Sequence, residues 1–461
     1  MRGVLLAAAL LALPLSTLHA QSSPPPGPET RWTLAAGGDV IMNRRLAPFD
    51  VPSDPAFHGM AEVVRAADAA FLNLEQSVFR IERFEGWPAA QNGGNYEWGP
   101  PETLEDLRDM GFDLFNRANN HTTDYGVAGM RATDRLLDEM GLVHAGTGEN
   151  LGWASRPGYL DTPKGRIALI GMASTHTSMS PAGAASGAVR GRPGLNPLRL
   201  DRRVEATPPV MEALRQVARA YGGTPSDEPG RSVRVLGTTV YPGPADREAL
   251  TVREADRERI LREVRNAADQ ADYVVVNSHS HEPGNASVVP PEWMVELAHQ
   301  AIDAGANTFV IHGPHQLRGV EVYQGRPIFY SLGNFVFQNE TIDPMPADMR
   351  EAYGVPHDAL AGEIYDARFR VDDGGRPTTG FPTGSQWYES VVATATFEGD
   401  ELVEMRFHPI ELGWKAPRSQ RGTPRLAPPE LARKIIDRLA ELSAPFGTVI
   451  RYEDGVGVWS R

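Results

Sequence analysis

The chain has no cysteine in 461 residues. Disulfides, thiolate ligands and a cysteine nucleophile are excluded, so any metal site must be built from His, Asp, Glu and Asn. A basic block is missing too. Lys and Arg number 45 against 59 Asp and Glu, a net charge of −14. This balance argues against nucleic acid as a partner, and it serves solubility more than it identifies a substrate. After the N-terminal region no apolar run is long enough to span a bilayer, so no permanent membrane span is expected. No internal repeat is visible.

The opening stretch, MRGVLLAAALLALPLSTLHAQ, holds one basic residue, an apolar run over 4–13, Pro14 and the small Ala20. That is the pattern of a secretory signal over 1–20, cleaved after Ala20. The apolar run is too short for a permanent anchor, and no cysteine follows to carry a lipid on the mature N-terminus. An exported protein, periplasmic or extracellular, is expected. Residues 21–30 begin QSSPPPGPE and read as a Pro-rich linker.

From residue 31 onward, apolar strands alternate with amphipathic helices, which indicates an α/β fold. Strands are expected at 31–38, 69–74, 112–118, 166–173, 273–278 and 307–311. The near-continuous apolar run RIALIGMA suits a strand covered on both faces. Helices are expected at 60–70, 101–111, 127–141, 254–272 and 290–305. Two of them, 101–111 and 290–305, begin with Pro and end with Gly, as helix ends prefer. Another helix is expected within 201–223. Residues 310–337 read as a strand, two histidines, a strand pair turning at Gly325 and a Ser-Leu-Gly-Asn corner. A hairpin at 390–397 and 402–409 and a last helix at 429–442 follow. Residues 175–249 and 338–386 read as insertions, the first a lid or loop with added structure, the second a long loop. Residues 416–461 read as a C-terminal helix and tail.

In open α/β sheets the reactive groups lie at the carboxyl ends of strands. Asp39, Glu75, Asn120, His121, His279, His281, His312 and His315 each follow an expected strand, and right-handed crossovers bring such ends to one rim. Asp39 could equally cap a helix, and the 119–124 segment could be an Asx turn. Taken together, the O- and N-rich set suits one or two divalent ions such as Mn, Zn or Fe. Such ions clamp an oxygenated group and lower the pKa of bound water. His279 and His281, two residues apart on an extended segment, point to opposite faces, so one would ligate while the other lines the cleft. Glu282 is a candidate general base or an orienting partner for a ligand histidine. Asn119, Asp124 and Asn334 are further pocket candidates, and Asn334 either faces the ligand or pins its loop.

The stretches GGDVIM, FLNLE, NNHTTDYG, VVVNSHSHE, HGPH and YSLGNFVF, in that order, resemble the CapA family, the capsule or poly-γ-glutamate synthesis proteins. The resemblance runs from about residue 31 to about residue 412, and HGPH with YSLGNF is its most specific part. That family is similar in fold to the calcineurin-like metallophosphoesterases. The resemblance implies a four-layer α/β/β/α sandwich of metallo-dependent phosphatase type over 31–415, with the two insertions. It implies metal ligation by Asp39, Glu75, Asn120, His279, His312 and His315, with His121 as the acid/base group. Ile41 stands where the phosphoesterase pattern has His, Glu75 where it has Asp, and His279-Ser280-His281 where many CapA relatives have His-Trp-Gly. One tightly held ion with a second weak or absent one is therefore expected.

The resemblance also implies a role in synthesis or processing of poly-γ-glutamate or another capsule-type polymer. The chemistry would be that of a metal-dependent hydrolase or transferase, assisted by His281 or Glu282. Partners would be an anionic polymer or peptide-like substrate and other capsule-synthesis proteins. Alternatives are a metal-dependent phosphoesterase, a non-catalytic polymer-binding scaffold of the envelope, and a metal-dependent peptide epimerase; fold alone does not choose among them. An acidic polymer asks for local positive potential, expected from the metal and from residues such as Arg117 and Arg318.

Overall fold

A computed structural model describes residues 31–461, except residues 90 and 229. The expected signal and linker lie outside the described residues. The strands that place the site are, in chain order, β1 (Arg31–Ile41), β2 (Ala69–Leu74), β3 (Leu114–Asn116), β4 (Gly165–Ala173), β5 (Tyr273–His279), β6 (Thr308–His312), β7 (Asn334–Phe337), β8 (Glu389–Glu398) and β9 (Glu401–Glu411). The helices over them are α1 (Pro55–Arg65), α2 (Glu102–Asp109), α3 (Gly126–Glu139), α4 (Glu254–Ala268) and α5 (Glu292–Asp303).

Two sheets stack face to face. In the first, β9, β8, β1, β2 and β3 lie in that order, with β7 also pairing to β1. In the second, β6, β5 and β4 are parallel neighbours. Their inner faces share one core, in which Leu34, Phe71 and Leu114 meet Leu169, Val275 and Val310. The outer face of the first sheet carries Phe57 and Met60 of α1, Leu104 and Leu107 of α2 and Leu137 of α3. The outer face of the second carries Ile260 and Val264 of α4 and Met294 and Leu297 of α5. These contacts make the four-layer α/β/β/α sandwich. Each large apolar side chain buried this way contributes roughly 1.5–3 kcal/mol.

Helix α1 begins earlier than its hydrophobic spacing suggests. Asp54 accepts a hydrogen bond from Phe57 N at 3.2 Å and Pro55 occupies the first turn, a start signal that outweighs periodicity at the boundary. The strand expected at 112–118 shortens to β3, because the chain after Asn116 leaves the sheet to form the site.

The insertions are more ordered than their composition suggests. In and just beyond 175–249, strands Leu200–Ala206, Val233–Val235, Thr238–Pro242 and Arg247–Val252 form a separate sheet. The helix Pro208–Ala220 packs on it through Met211 and Ala218. The segment 338–386, expected as a long loop, contains the helices Ala347–Tyr353 and Ala361–Phe369. Met349, Ile364, Tyr365 and Phe369 share a core there with Phe79, Tyr96 and Tyr125. The C-terminal tail supplies the hairpin Arg451–Glu453 and Val456–Ser460, whose second strand pairs with β9.

Candidate metal centre

Strand register lays the site out in two rows. Across the first sheet Asp39 stands beside Asn73, and Asn73 beside Asn116. Across the second, His279 stands beside His312. The rows meet where the sheets abut. Asn73 Nδ2 donates to Asp39 Oδ1 at 2.7 Å and lies 3.1 Å from His279 Nδ1, and Asn116 Nδ2 donates to Asn73 Oδ1 at 2.7 Å. The 331–334 corner crosses the end of β1 closely. Asp39 N donates to Gly333 O at 3.0 Å, and a Cβ on residue 38 would fall 2.1 Å from that oxygen. This approach is why a glycine must precede Asp39.

Glu75 follows β2 and is fully buried, and neither carboxylate oxygen has a hydrogen-bond partner among the described residues. Around its Oε1 stand His279 Nε2 at 3.6 Å, His315 Nε2 at 3.8 Å, His281 Nε2 at 3.9 Å and His121 Nε2 at 4.0 Å. These separations are too long for hydrogen bonds. They suit donor atoms converging on a point about 2.0–2.2 Å from each. In two donor groups, one ligand atom from each residue lies within 4.8 Å of the others: Glu75 with His279 and His281, and Asp39 with Glu75 and His315. Glu75 belongs to both. An unpaired buried carboxylate is costly, and an all-N,O set of this kind fits a divalent cation.

The rings are turned toward Glu75 by fixed partners. His315 adopts φ 58°. Its Nδ1 meets Asn334 Oδ1 at 2.9 Å, while Asn334 Nδ2 donates to His315 O at 3.1 Å and to Trp387 O at 2.9 Å. Asn334 therefore pins the loop and leaves His315 Nε2 available. His281 Nδ1 meets Asn285 Oδ1 at 2.7 Å, and its Nε2 comes to 3.2 Å from His279 Nε2. His121 Nδ1 meets Asp124 Oδ2 at 2.7 Å, and Glu97 N donates to the same oxygen at 2.7 Å. An acceptor on Nδ1 fixes the tautomer and leaves Nε2 as the lone-pair nitrogen.

Burial and the charge of Asp39 push the Glu75 carboxyl well above its ordinary range. Burial and the neighbouring His281 and His315 hold His279 well below its own. Burial, with His315, lowers His281 to about 3, and burial lowers His315 to about 4. These three imidazoles are neutral at physiological pH, the form that binds metal. His121 behaves differently. Burial works against its charged form, but the charge and hydrogen bond of Asp124, with Glu97, outweigh burial and raise its pKa.

His312, expected as a ligand, joins neither donor group. Its Nδ1 meets Asn277 Nδ2 at 2.6 Å and its Nε2 meets Gly37 O at 3.0 Å. The ring ties the second sheet to the first, as a buried polar group must find partners. His281, expected to assist proton transfer, stands in the group with Glu75 and His279. Asn120 donates to Asn92 Oδ1 at 3.0 Å, and its own Oδ1 is buried without a partner among the described residues. Asn119 holds its turn, with Nδ2 on Leu74 O at 2.7 Å and Oδ1 on His121 N at 3.1 Å. Glu282 joins neither donor group either. Its half-buried carboxyl is raised by burial and by Glu248, and lowered by Arg202, and both of those residues belong to the inserted sheet. Arg117 and Arg318, expected to supply positive potential, are buried and spend guanidinium groups on backbone carbonyls.

Several contributors escaped sequence reading as site residues, Asn73, Asn277 and Glu97 among them. Asn73 and Asn277 are polar residues inside otherwise apolar strands, a signal that each faces something polar. Glu97 lay in a stretch with no strand pattern and gave no signal.

The site residues lie within the part of the chain that is similar to known proteins. The family described as bacterial capsule synthesis protein PGA_cap matches residues 33–339. The uncharacterized protein y4sH of Sinorhizobium fredii is 42% identical over 438 residues, which is 93% of this chain and 92% of that one. The capsule biosynthesis protein CapA of Bacillus anthracis is 27% identical, over 67% of this chain and 60% of that one. The PGA biosynthesis protein CapA of Bacillus subtilis is 28% identical, over 65% and 62%. The matched region thus spans less than two thirds of each Bacillus protein.

Proposed function

The chain belongs to the PGA_cap family of bacterial capsule synthesis proteins, and from that premise we propose that it is an exported, metal-dependent hydrolase or transferase acting on poly-γ-glutamate or a similar capsule-type polymer. The observation that carries the reading is Glu75, a buried carboxylate without a hydrogen bond, faced by four imidazole nitrogens. Asp39, Glu75, His279, His281 and His315 would hold a divalent ion. Bound there, it would polarise a carbonyl or phosphoryl oxygen and lower the pKa of bound water.

The chain's own residues supply the rest. His121 presents Nε2 to the centre, and the Asp124 carboxylate on Nδ1 stabilises its charged form, which equips it to take and return a proton there. Asn73 bridges Asp39 and His279 and holds both at the seam. The rim near His315 is apolar. Phe381 of the insertion lies 5.2 Å from that ring, and it would limit water at that wall. Export is supported by residues 1–20. Among the described residues no helix is long and apolar enough to cross a membrane.

Metal analysis of the purified protein, joined to incubation with poly-γ-glutamate, tests the proposal. The expected result is at least one Mn, Zn or Fe per chain and a falling polymer length that His315→Ala abolishes. Metal-replete protein holding no stoichiometric ion would overturn it. Metal-loaded protein that leaves the polymer intact but cleaves p-nitrophenyl phosphate would instead establish the phosphoesterase alternative.

A further inference from the structure

The segment Asn92-Gly93-Gly94-Asn95 is a tight turn. Asn92 N donates to Asn95 O at 3.3 Å and Asn95 N to Asn92 O at 3.1 Å. It lies directly on the site. A Cβ on Gly93 would be 3.7 Å from His121 Nε2, and Asn120 Nδ2 donates to Asn92 Oδ1 at 3.0 Å. Both central glycines take positive φ, 60° and 83°. Two adjacent glycines have wide conformational freedom, so a single conformation of this turn needs ties from outside.

The insertion at 338–386 provides those ties. Arg368 Nη2 donates to Gly93 O at 3.2 Å, Tyr353 Oη donates to Gly94 O at 2.7 Å, and Asn95 Nδ2 donates to Asn339 Oδ1 at 2.9 Å. Arg368 Nη1 donates to that same Asn339 oxygen at 2.8 Å. Among the described residues, every hydrogen-bond partner of the Arg368 guanidinium is thus a neutral oxygen.

The bonds continue inward from Asn339. Asn95 Nδ2 also donates to Glu97 Oε1 at 2.9 Å, Glu97 N donates to Asp124 Oδ2 at 2.7 Å, and Asp124 Oδ2 holds His121 Nδ1 at 2.7 Å. Arg368 therefore acts on both sides of one imidazole. It holds Gly93, which stands beside Nε2, by its carbonyl oxygen, and it reaches Nδ1 through a line of four residues.

We propose that Arg368, on the inserted helix Ala361–Phe369, is a positioning residue for His121, and that with Tyr353 it holds the Asn92–Asn95 turn closed over His121 Nε2. The inference rests on the reading of His121 as the proton-moving group and adds what decides access to it. The turn must open for a substrate to reach Nε2, and the insertion sets how readily it opens. A merely structural Arg368 would brace the insertion without changing the exposure of His121.

The test compares wild type, Arg368→Gln, Arg368→Lys, Tyr353→Phe and the Arg368→Gln/Tyr353→Phe double variant. Two readouts need no substrate: the rate at which diethyl pyrocarbonate modifies His121, followed by peptide mass spectrometry, and amide hydrogen exchange over residues 91–97. With latch hydrogen bonds removed, the double variant is expected to react at His121 about tenfold faster and to exchange faster at the turn. Arg368→Lys should fall between it and wild type, keeping charge without the planar fork. Wild-type rates at His121 and at the turn, in a double variant of unchanged melting temperature and metal content, would overturn the proposal. If the double variant unfolds, Tyr353→Phe alone is held to the same criterion. Failure to find metal in the wild type would sink the proposed function and leave the exchange result to decide this inference separately.

Discussion

Arg117 grips the backbone on both sides of Glu75: its Nη1 donates to Leu74 O at 3.1 Å and to Gln76 O at 2.8 Å. Its Nε reaches Asp134 Oδ1 at 3.2 Å on α3. A buried cation thus fixes the carboxylate of the candidate centre without touching it. Replacing Arg117 by Met strands two carbonyls and Asp134, and should cost about 3–5 kcal/mol of stability. Urea unfolding measures this, and a loss below about 0.5 kcal/mol, within the range of an ordinary surface substitution, would contradict the role.

Glu75→Gln separates the cost of the centre from its use. The variant keeps the volume and removes a carboxyl buried without a partner. Metal content should fall to background. The metal-free variant should melt at or above metal-free wild type, because an uncompensated buried acid has been removed. Full metal loading of Glu75→Gln would rule out Glu75 as the shared ligand.

Asn334→Ala tests how the ring of His315 is aimed. The substitution removes the partner of Nδ1 and both donations to backbone carbonyls. Outer partners of this kind are typically worth about 10–100-fold in metal affinity. Competition titration against a chromophoric chelator should show that weakening. Unchanged affinity would mean that the positive-φ backbone of His315 alone sets the ring.

His408 on β9 gives a pH effect outside the candidate centre. Burial, with the charge of Arg406, lowers it from 6.5 to about 4. Between those values the unfolded chain takes a proton that the folded chain refuses. The associated stability is complete above about pH 6.5 and is lost as the pH falls toward 4. Full loss is about 3 kcal/mol at roughly 1.4 kcal/mol per pH unit. Unfolding at pH 7.5 and pH 5 should show His408→Leu losing about 2 kcal/mol less than wild type across that interval. Equal losses would refute the assignment.

Much of this organisation was legible in one dimension. β5, with its Tyr-Val-Val-Val run, and β4, with its nearly unbroken apolar run, announced a sheet covered on both faces, and their polar termini marked the rim. Glu75 and His279 were readable because each ends an apolar strand. The insertions resisted reading because Gly, Pro and charge imply loops, whereas Met349, Tyr365 and Phe369 become a core only when Phe79 and Tyr96 arrive from far along the chain.

His312 and His281 show where sequence stops. Both are histidines after a strand, and position alone favoured His312 as a ligand. Residue types and spacing determined the α/β class, the strand-end rim, the exclusion of sulfur ligands and the set of N and O donors available. The packing of the two sheets decided which donors remain free. It brings Gly37 O to His312 Nε2, while pairing within the second sheet sets Asn277 on Nδ1, so both nitrogens are consumed. Asn285, four residues on in the same loop, holds His281 Nδ1, and the packing of the sheets sets its Nε2 facing Glu75. A hydrogen bond between residues hundreds of positions apart depends on sheet-to-sheet distance and register, and no local pattern encodes either.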